Sequence, residues 1–307
     1  MKNYHVDQLY LISLRLIAMK LNKVVFPVAG LGTRFFPATK VSPKEMLPIA
    51  DKPLIQYAVE EAIDAGFTEL IFVTSESKSA IRDHFSSNLN VKASNLTDEK
   101  RDLLRKMNEI IPKEVSCKYI FQEEPLGLGH AILQAKTIIN DEPFAVILAD
   151  DLIDSKIGVL KQMVEQYEDK ISSIISVQKI NKADSVHYGM VSTDSENQKL
   201  MRLSNIVEKP SPENAPSDLG VVGRYIFCNK ILEFLENIPF GKGNEIQLTD
   251  GVKAMLNSYP VYAYKFQGER YDCGDKLGFI KANIEYALKN KIFGDDLKTY
   301  LKSRIAK

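Results

Sequence analysis

The feature that most constrains this chain is the alternation of short apolar strands with amphipathic helices over its first 150 residues. The predicted strands span Lys23–Val28, Leu70–Thr74, Lys118–Gln122 and Phe144–Leu148. Helices are predicted over Leu54–Ala65, between Pro53 and Gly66, and over about His130–Ile139. This alternation predicts a mostly parallel sheet that is covered on both faces and binds ligands beyond the carboxyl ends of its strands.

The pattern changes after Asp150, where turn residues separate several strands. These strands are predicted over Ile174–Gln178, Gly189–Thr193, Arg202–Val207, Val221–Phe227 and Val261–Phe266. Helices are predicted over Lys230–Asn237, Gln247–Leu256 and Lys276–Lys289. The second half therefore predicts a mixed-sheet extension built over the first half.

The charge balance of the 307-residue chain limits its partners. Lysine plus arginine equals aspartate plus glutamate at 40 each, so we expect neither nucleic acid nor an anionic membrane as a partner. A polyanionic ligand would have to be held by a local cluster of cations. The three cysteines are widely spaced and odd in number, which favours a reducing, cytoplasmic compartment.

Residues 1–20 are unlike the remainder of the chain. The apolar run Leu9–Ala18 is interrupted by Ser13 and Arg15, and it is too short and too polar to span a bilayer. A signal peptide fits poorly because no small-residue cleavage site follows. We interpret this segment as a weakly amphipathic helix or a misassigned start.

A turn with two close glycines follows the first strand. The segment Ala29–Arg34 could bring backbone N–H groups close to phosphates, although an ordinary tight turn has the same pattern. A dinucleotide fingerprint would need glycine in place of Phe35 and a long helix, which the prolines at positions 37, 43 and 48 exclude. A Walker loop would need Gly-Lys-Ser/Thr where the chain has Gly-Thr-Arg. Arg34 and the basic segment Lys40–Lys44 supply a local cation cluster suited to phosphate.

Polar side chains also follow three later strands. Gln122 precedes a glycine-containing turn, which is either a plain turn or a loop whose amide can pair with a base edge. Asp150 and Asp151 lie at the ligand edge of the sheet, where one of the two would suffice for magnesium. We interpret Asp151 as a helix cap or a solvated neighbour. The segment Val207–Pro210, taken alone, is typical of an exposed strand end.

Together these motifs resemble the bacterial UTP–glucose-1-phosphate uridylyltransferases, of the sugar-nucleotide pyrophosphorylase group. The matching segments are Gly30–Arg34, Pro37–Lys40, Pro43–Pro48, Asp51–Tyr57 and Tyr271–Gly274. The resemblance implies a three-layer α/β/α nucleotide-diphosphosugar transferase fold, which is Rossmann-like with a mostly parallel mixed central sheet. We therefore expect an extension over residues 1–20, a catalytic domain over 21–290 and a helical tail over 291–307.

The same resemblance implies roles for single residues. The implied catalytic residues are Arg34, Lys44, Asp150 and Lys209, and Asp150 and Asp272 would hold magnesium. The implied nucleotide-binding residues are Ala29, Gly30, Gly32, Thr33, Gln122, which would read uracil, and Gly127, which would pack against the base. The implied sugar-phosphate-binding residues are Gly189, Glu208, Lys209, Val222 and Gly223, with Glu208 on sugar hydroxyls and Lys209 on the phosphate. His130 is interpreted as a structural residue at a helix start, and Cys273 as a buried filler.

The implied reaction is magnesium-dependent transfer of uridylyl from UTP to glucose 1-phosphate, which gives UDP-glucose and pyrophosphate by direct in-line displacement. A homodimer or homotetramer is expected on the same ground. Two alternatives stay open: a pyrophosphorylase for another nucleotide or hexose phosphate, such as dTTP, and a non-catalytic regulatory homologue. The second is disfavoured because the charged residues of the implied site are all present.

Overall fold

A nine-stranded sheet organises the part of the chain that the computed structural model describes, namely residues 21–86, 97–167, 172–195, 198–241 and 243–305. The interpretation of residues 1–20 falls outside these ranges. The strands of the large sheet are β1 (Lys23–Pro27), β4 (Glu69–Thr74), β5 (Ser116–Phe121), β6 (Phe144–Ile147), β8 (Ser173–Lys179), β9 (Gly189–Thr193), β10 (Leu200–Glu208), β11 (Leu219–Phe227) and β12 (Val261–Lys265). Two short pairs lie outside it, β2 (Pro48–Ile49) with β3 (Lys52–Pro53), and β7 (Asp151–Asp154) with β13 (Glu269–Asp272).

The strand order places the ends of the early strands at one edge. From side to side the order is β5-β4-β1-β6-β11-β8-β12-β10-β9. The first four strands are parallel, β11 is antiparallel to both β6 and β8, and β10 is antiparallel to β12 and β9. Because β1, β5 and β6 point the same way, the segments that follow them leave the sheet at the same edge.

Helices cover both faces of the sheet. They are α1 (Leu54–Asp64), α2 (Ser79–Phe85), α3 (Asp98–Asn108), α4 (Leu128–Gln134), α5 (Lys136–Ile139), α6 (Val159–Val164), α7 (Lys230–Asn237), α8 (Leu248–Met255), α9 (Lys276–Leu288) and α10 (Gly294–Ile305). Alternate residues of a strand point to opposite faces, so Val24 and Phe26 pack with Ile55 of α1, whereas Val25 packs with Ile132 of α4. This two-sided burial confirms the expected three-layer α/β/α fold.

Two local features differ from the sequence-based expectation. The helix predicted over about His130–Ile139 is divided into α4 and α5 at Ala135. The Ala135 N–H donates to the Ile132 carbonyl, three residues earlier, which is the hydrogen bond of a 3₁₀ turn and not of an α-helix. The antiparallel ribbon of β7 and β13 was not predicted. In the described part of the chain, no helix is both long and apolar enough to cross a membrane.

Candidate active site

The glycine loop after β1 lines a cleft at the carboxyl edge of the sheet. Gly32 adopts φ +64°, and its carbonyl accepts a hydrogen bond from Thr39 Oγ1 at 2.7 Å. A Cβ at Gly32 would lie 3.1 Å from Cβ of Lys44, so the loop packs directly on that side chain. The cleft measures about 470 Å³, and its lining includes all six residues for which nucleotide contacts were predicted, Ala29, Gly30, Gly32, Thr33, Gln122 and Gly127. The fold thus brings these residues together, and their contact with a nucleotide stays a prediction.

The second wall of this cleft, which we call the nucleotide cleft, begins where β5 ends. Gln122 is 6% exposed, and its amide nitrogen lies 2.8 Å from His130 Nδ1 and 3.4 Å from the Gly127 carbonyl oxygen. His130 lies in the first turn of α4 and also contacts the Gln134 amide at 3.0 Å. The histidine therefore fixes the orientation of Gln122, a role that sequence reasoning did not assign.

Gly127 makes the turn into α4 possible. Its φ is +97°, a conformation that L side chains rarely adopt. A Cβ there would lie 2.7 Å from Cβ of Glu245, which is also part of the cleft wall. Any larger residue would have to displace Glu245 or the turn itself, so glycine is required by two independent constraints.

Oppositely charged side chains meet beside the glycine loop. Lys44 Nζ lies 2.5 Å from Asp150 Oδ2, and Arg34 Nη1 donates to the Gly274 carbonyl at 3.3 Å. Burial acts to lower the pKa of Lys44, but the neighbouring carboxylate of Asp150 outweighs it, so that pKa is raised. Burial acts to raise the pKa of Asp150, and the Lys44 ammonium reverses the sign, so that pKa is lowered. Both groups are therefore charged at neutral pH.

The ribbon of β7 and β13 brings Asp272 to Asp150 across 122 positions of sequence. Asp272 pairs in register with Asp151, and Cys273 N donates to the Asp150 carbonyl at 2.7 Å. A Cβ placed on Gly274 would lie 3.1 Å from Asp150 Oδ2 and 3.1 Å from Asp272 Oδ1. The two carboxylate oxygens therefore flank one point and lie within about 6 Å of each other.

The donor chemistry of this carboxylate pair suits magnesium. Magnesium takes one or two protein carboxylates and fills its other positions with phosphate oxygens and water. Among the residues that the structure describes, no group of three or more His, Cys, Asp or Glu side chains is arranged to hold a metal. Asp272 does not cap α9, because Asp275 occupies that position and accepts from Leu277 N and Gly278 N.

The predicted sugar side lies where β9, β10 and β11 meet. Glu208 is in register with Gly189, accepts from Thr249 Oγ1 at 2.9 Å and pairs with Lys209 Nζ at 3.1 Å. A Cβ on Gly189 would lie 2.8 Å from Cγ2 of Thr249, so this glycine keeps the strand close to α8. Thr249 was not identified from the sequence, because a lone threonine near a helix start carries no functional signal.

Val222 and Gly223 lie deeper than the other predicted sugar contacts. Val222 is 1% exposed and belongs to the hydrophobic core. The Gly223 N–H donates to Asp151 Oδ2 at 2.7 Å. In this structure both residues support the site from behind, and their contact with a sugar stays a prediction.

The interpretation of Asp151 as a helix cap or a solvated neighbour is wrong. This residue neither caps a helix nor is solvated, since it is 8% exposed and begins β7. Arg270 Nε donates to its Oδ1 at 2.5 Å, which gives the buried carboxylate a cationic partner. Behind it, Arg224 donates to Glu61 through Nε at 3.0 Å and Nη2 at 2.7 Å, and to the Leu148 carbonyl at 3.2 Å. These buried charges lie next to the turn that carries Asp150, because Arg224 is in register with Ile147 at the end of β6 and Asp151 begins β7.

Cys273 agrees with its interpretation as a filler. It is 2% exposed and packs with Ile49 and Leu54. Burial, together with the nearby carboxylate of Asp150, raises the pKa of its thiol to about 12, so it carries no thiolate at neutral pH. A covalent cysteine mechanism is therefore not supported at this site.

Known proteins share the sequence pattern and the fold of this chain. The nucleotidyl transferase family model matches residues 23–289. The UTP–glucose-1-phosphate uridylyltransferase of Staphylococcus epidermidis is 45% identical over 92% of this chain and 98% of its own, and that of Bacillus subtilis is 43% identical over 94% and 98%.

Solved structures give the same result. A UDP-glucose pyrophosphorylase complexed with UDP-glucose superposes with a TM-score of 0.80 at 42% identity, covering 88% of this chain and all of that one. The UTP-bound enzyme from Acinetobacter baumannii gives a TM-score of 0.85 at 39% identity, covering 92% of this chain and 98% of that one. The chain therefore belongs to the nucleotidyl transferase family, among its UTP–glucose-1-phosphate uridylyltransferases.

Proposed function

We propose that the chain transfers the uridylyl group of UTP to α-D-glucose 1-phosphate, forming UDP-glucose and releasing pyrophosphate. The observation that carries this proposal is the meeting of Lys44, Asp150 and Asp272 beside a glycine-lined cleft at one sheet edge. The relatives that are named for this activity or hold UTP or UDP-glucose support the same substrates.

The chemistry is a direct displacement. A phosphate oxygen of glucose 1-phosphate attacks the α-phosphorus of UTP, and the bond from that phosphorus to the oxygen bridging the α- and β-phosphates breaks. Pyrophosphate leaves on the opposite side. The attacking oxygen is already anionic, so the reaction needs no general base, and the protein's task is positioning and charge neutralisation.

The cations of the site suit this task. Arg34 and Lys44 lie beside the glycine loop, where they stabilise the charge that develops on the leaving pyrophosphate. Lys209 lies on the sugar side, where it aligns the attacking phosphate. Removal of one such cation costs on the order of a hundredfold in rate.

Asp150 and Asp272 would hold magnesium, because one oxygen of each carboxylate lies 3.1 Å from the same position beside Gly274 and a phosphate-rich ligand would complete the coordination. When bound, the ion supplies positive charge to the phosphates of both substrates. Lys44 neutralises Asp150 and keeps its carboxylate ionised. Asp272 is held by the Gly274 amide at 2.9 Å, so its carboxylate has a fixed orientation before any ligand arrives.

The test is an assay of pyrophosphate release with a panel of nucleotides and sugar phosphates. UTP with glucose 1-phosphate should give the highest kcat/KM, and turnover should require magnesium. Higher turnover with dTTP would assign the chain to the thymidylyl class. No turnover with any pair would favour a regulatory homologue, and activity in chelator-treated protein would remove the metal from the proposal.

A further inference from the structure

One guanidinium lies between the proposed metal ligands and the proposed sugar side. Arg270 donates through Nε to Asp151 at 2.5 Å, pairs through Nη2 with Asp272 Oδ2 at 3.2 Å, and donates through Nη1 to the Tyr188 hydroxyl at 2.6 Å. Its side chain is 10% exposed. Arg270 is therefore a buried junction between Asp272 of the proposed metal site and Tyr188, which directly precedes Gly189 of the proposed sugar side.

On the carboxylate side, Arg270 fixes one oxygen of Asp272. Oδ2 faces the guanidinium, and Oδ1 accepts from Gly274 N at 2.9 Å. Oδ1 is also the Asp272 oxygen that lies 3.1 Å from the Cβ position of Gly274, the same distance as Asp150 Oδ2. The two contacts together determine the plane of the carboxylate, and with it the oxygen that faces Asp150.

On the sugar side, Tyr188 connects Arg270 to the backbone of Lys209. The guanidinium lies over the tyrosine ring, with Cζ 5.1 Å from its centroid, while the ring hydroxyl accepts from Nη1. The Tyr188 carbonyl accepts from Lys209 N at 2.9 Å. Lys209 adopts φ +43°, which a residue with a side chain holds only when its surroundings enforce it. Tyr188 is one of the contacts that hold this backbone in place.

We propose that Arg270 and the Tyr188 hydroxyl form a positioning link that fixes the separation between the Asp150–Asp272 pair and the Lys209 segment. This inference rests on the proposed function, in which the Asp150–Asp272 pair holds magnesium and Lys209 binds the sugar phosphate. Neither residue touches the reacting atoms. Their effect is to align the attacking phosphate with the α-phosphorus of the nucleotide, since a misplacement of about 1 Å can cost a hundredfold in rate.

A purely structural role is the alternative to this positioning role, because Arg270 also neutralises the buried Asp151. Tyr188→Phe distinguishes the structural role from the positioning role. It keeps the ring under the guanidinium and leaves the pairs of Arg270 with both aspartates intact. It removes only the oxygen that Nη1 donates to. The matched control is Tyr264→Phe, which deletes a buried hydroxyl that donates to Gln162 Oε1 at 3.4 Å outside the site.

The experiment measures kcat, both KM values and the melting temperature of the three proteins. Tyr188→Phe should lower kcat/KM for glucose 1-phosphate about tenfold, the effect of losing one hydrogen bond to a charged group. KM for UTP and the melting temperature should stay near those of the parent, and Tyr264→Phe should match the parent throughout.

Arg270→Lys supplies the second arm. The lysine keeps one positive charge for the aspartates but cannot reach all three partners, so it should show the same loss toward glucose 1-phosphate, or a larger one. Adding Tyr188→Phe to it should cause little further loss, because the link is already cut. Parental kinetics in Tyr188→Phe, or equal losses for both substrates with a lower melting temperature, would overturn the proposal. A parent protein without UDP-glucose synthesis would instead overturn the proposed function.

Discussion

The nucleotide cleft is stabilised differently from the carboxylate–sugar side of the site, by which we mean the Asp150–Asp272 pair, Glu208 and Lys209, and the buried charges behind them. The cleft is formed by two local turns, and its shape depends on glycines whose missing side chains leave room, such as Gly32 against Lys44 and Gly127 against Glu245. The carboxylate–sugar side depends on buried charge pairs that join distant segments. Arg224 and Glu61 are 163 positions apart, and Arg270 and Asp151 are 119 apart.

This difference predicts which substitutions should damage each half. A change in a local turn alters one wall of the cleft and leaves the remaining fold in place. A change in a buried pair leaves an uncompensated charge in the interior and should affect stability as well as geometry. Four predictions test this contrast.

The largest effect is expected for Arg224→Met. Arg224 is 1% exposed, and its removal takes away the guanidinium that neutralises Glu61, to which the Leu160 N–H would still donate at 2.9 Å. Breaking a buried pair on one side typically costs about 3–5 kcal/mol. Urea unfolding at neutral pH should show a loss of this size. The added change Glu61→Leu should recover part of it by removing the stranded carboxylate.

The control for Arg224→Met is a solvent-exposed pair. Lys136 and Glu236 are 48% and 42% exposed, so Lys136→Met should change the free energy of unfolding by about 1 kcal/mol or less. If Arg224→Met cost no more than this control, the buried pairs would not distinguish the two halves of the site.

The second effect concerns the proposed metal ligands. Asp150→Asn and Asp272→Asn keep the side-chain size and remove a charge, so each should lower kcat on the order of a hundredfold or more. The double variant should lose much less than the product of the single losses, because both carboxylates act on the same ion. A magnesium titration of turnover measures this. An Asp272→Asn enzyme that kept most of its activity and the parental magnesium dependence would exclude Asp272 as a ligand.

The third effect tests the nucleotide cleft. If Gln122 pairs with uracil, Gln122→Ala should weaken UTP binding by about 1–3 kcal/mol and leave glucose 1-phosphate binding unchanged, as calorimetry can measure. Gln134→Ala is the matched control, because Gln134 contacts the same His130 from the other ring nitrogen but does not line the cleft. Equal losses in the two variants would assign the effect to His130 instead of the base.

The two halves also differ in how far the sequence predicts them. The strands β1, β4, β5 and β6 were located to within two residues, because each is a short apolar run followed by turn residues. The glycine loop was identified as a phosphate-binding candidate because its residues are contiguous. Local patterns of this kind are visible without knowledge of the fold.

The ribbon of β7 and β13 and its buried charges could not be predicted from local sequence patterns. β7 and β13 read Asp-Leu-Ile-Asp and Glu-Arg-Tyr-Asp, which are short and partly charged, so neither suggests a buried strand. Glu61 looks like a surface residue of an amphipathic helix, and Asp151 like a cap, until their arginine partners are brought in by the fold. Only the pairing of distant strands makes these charges interior.

The smallest effect is expected from removing the first 18 residues. Both halves of the site, from Ala29 to Gly274, lie after this segment in the chain, so neither should lose a residue it needs. A chain that starts at Met19 also retains Leu21, which is 1% exposed and belongs to the hydrophobic core. We therefore expect this shortened protein to fold and to turn over at the parental rate, as melting and steady-state kinetics would measure.

Leu21 provides the contrast that makes this prediction sharp. In the chain that starts at Met19, Leu21→Ala should lower the free energy of unfolding by about 2–5 kcal/mol, because it leaves a cavity beside β1. Its effect on KM for UTP and for glucose 1-phosphate should be small, since the loss lies in the core. Insolubility or inactivity of the shortened chain with Leu21 intact would show that residues 1–18 contribute to one of the two halves, and comparison of the two KM values would identify which.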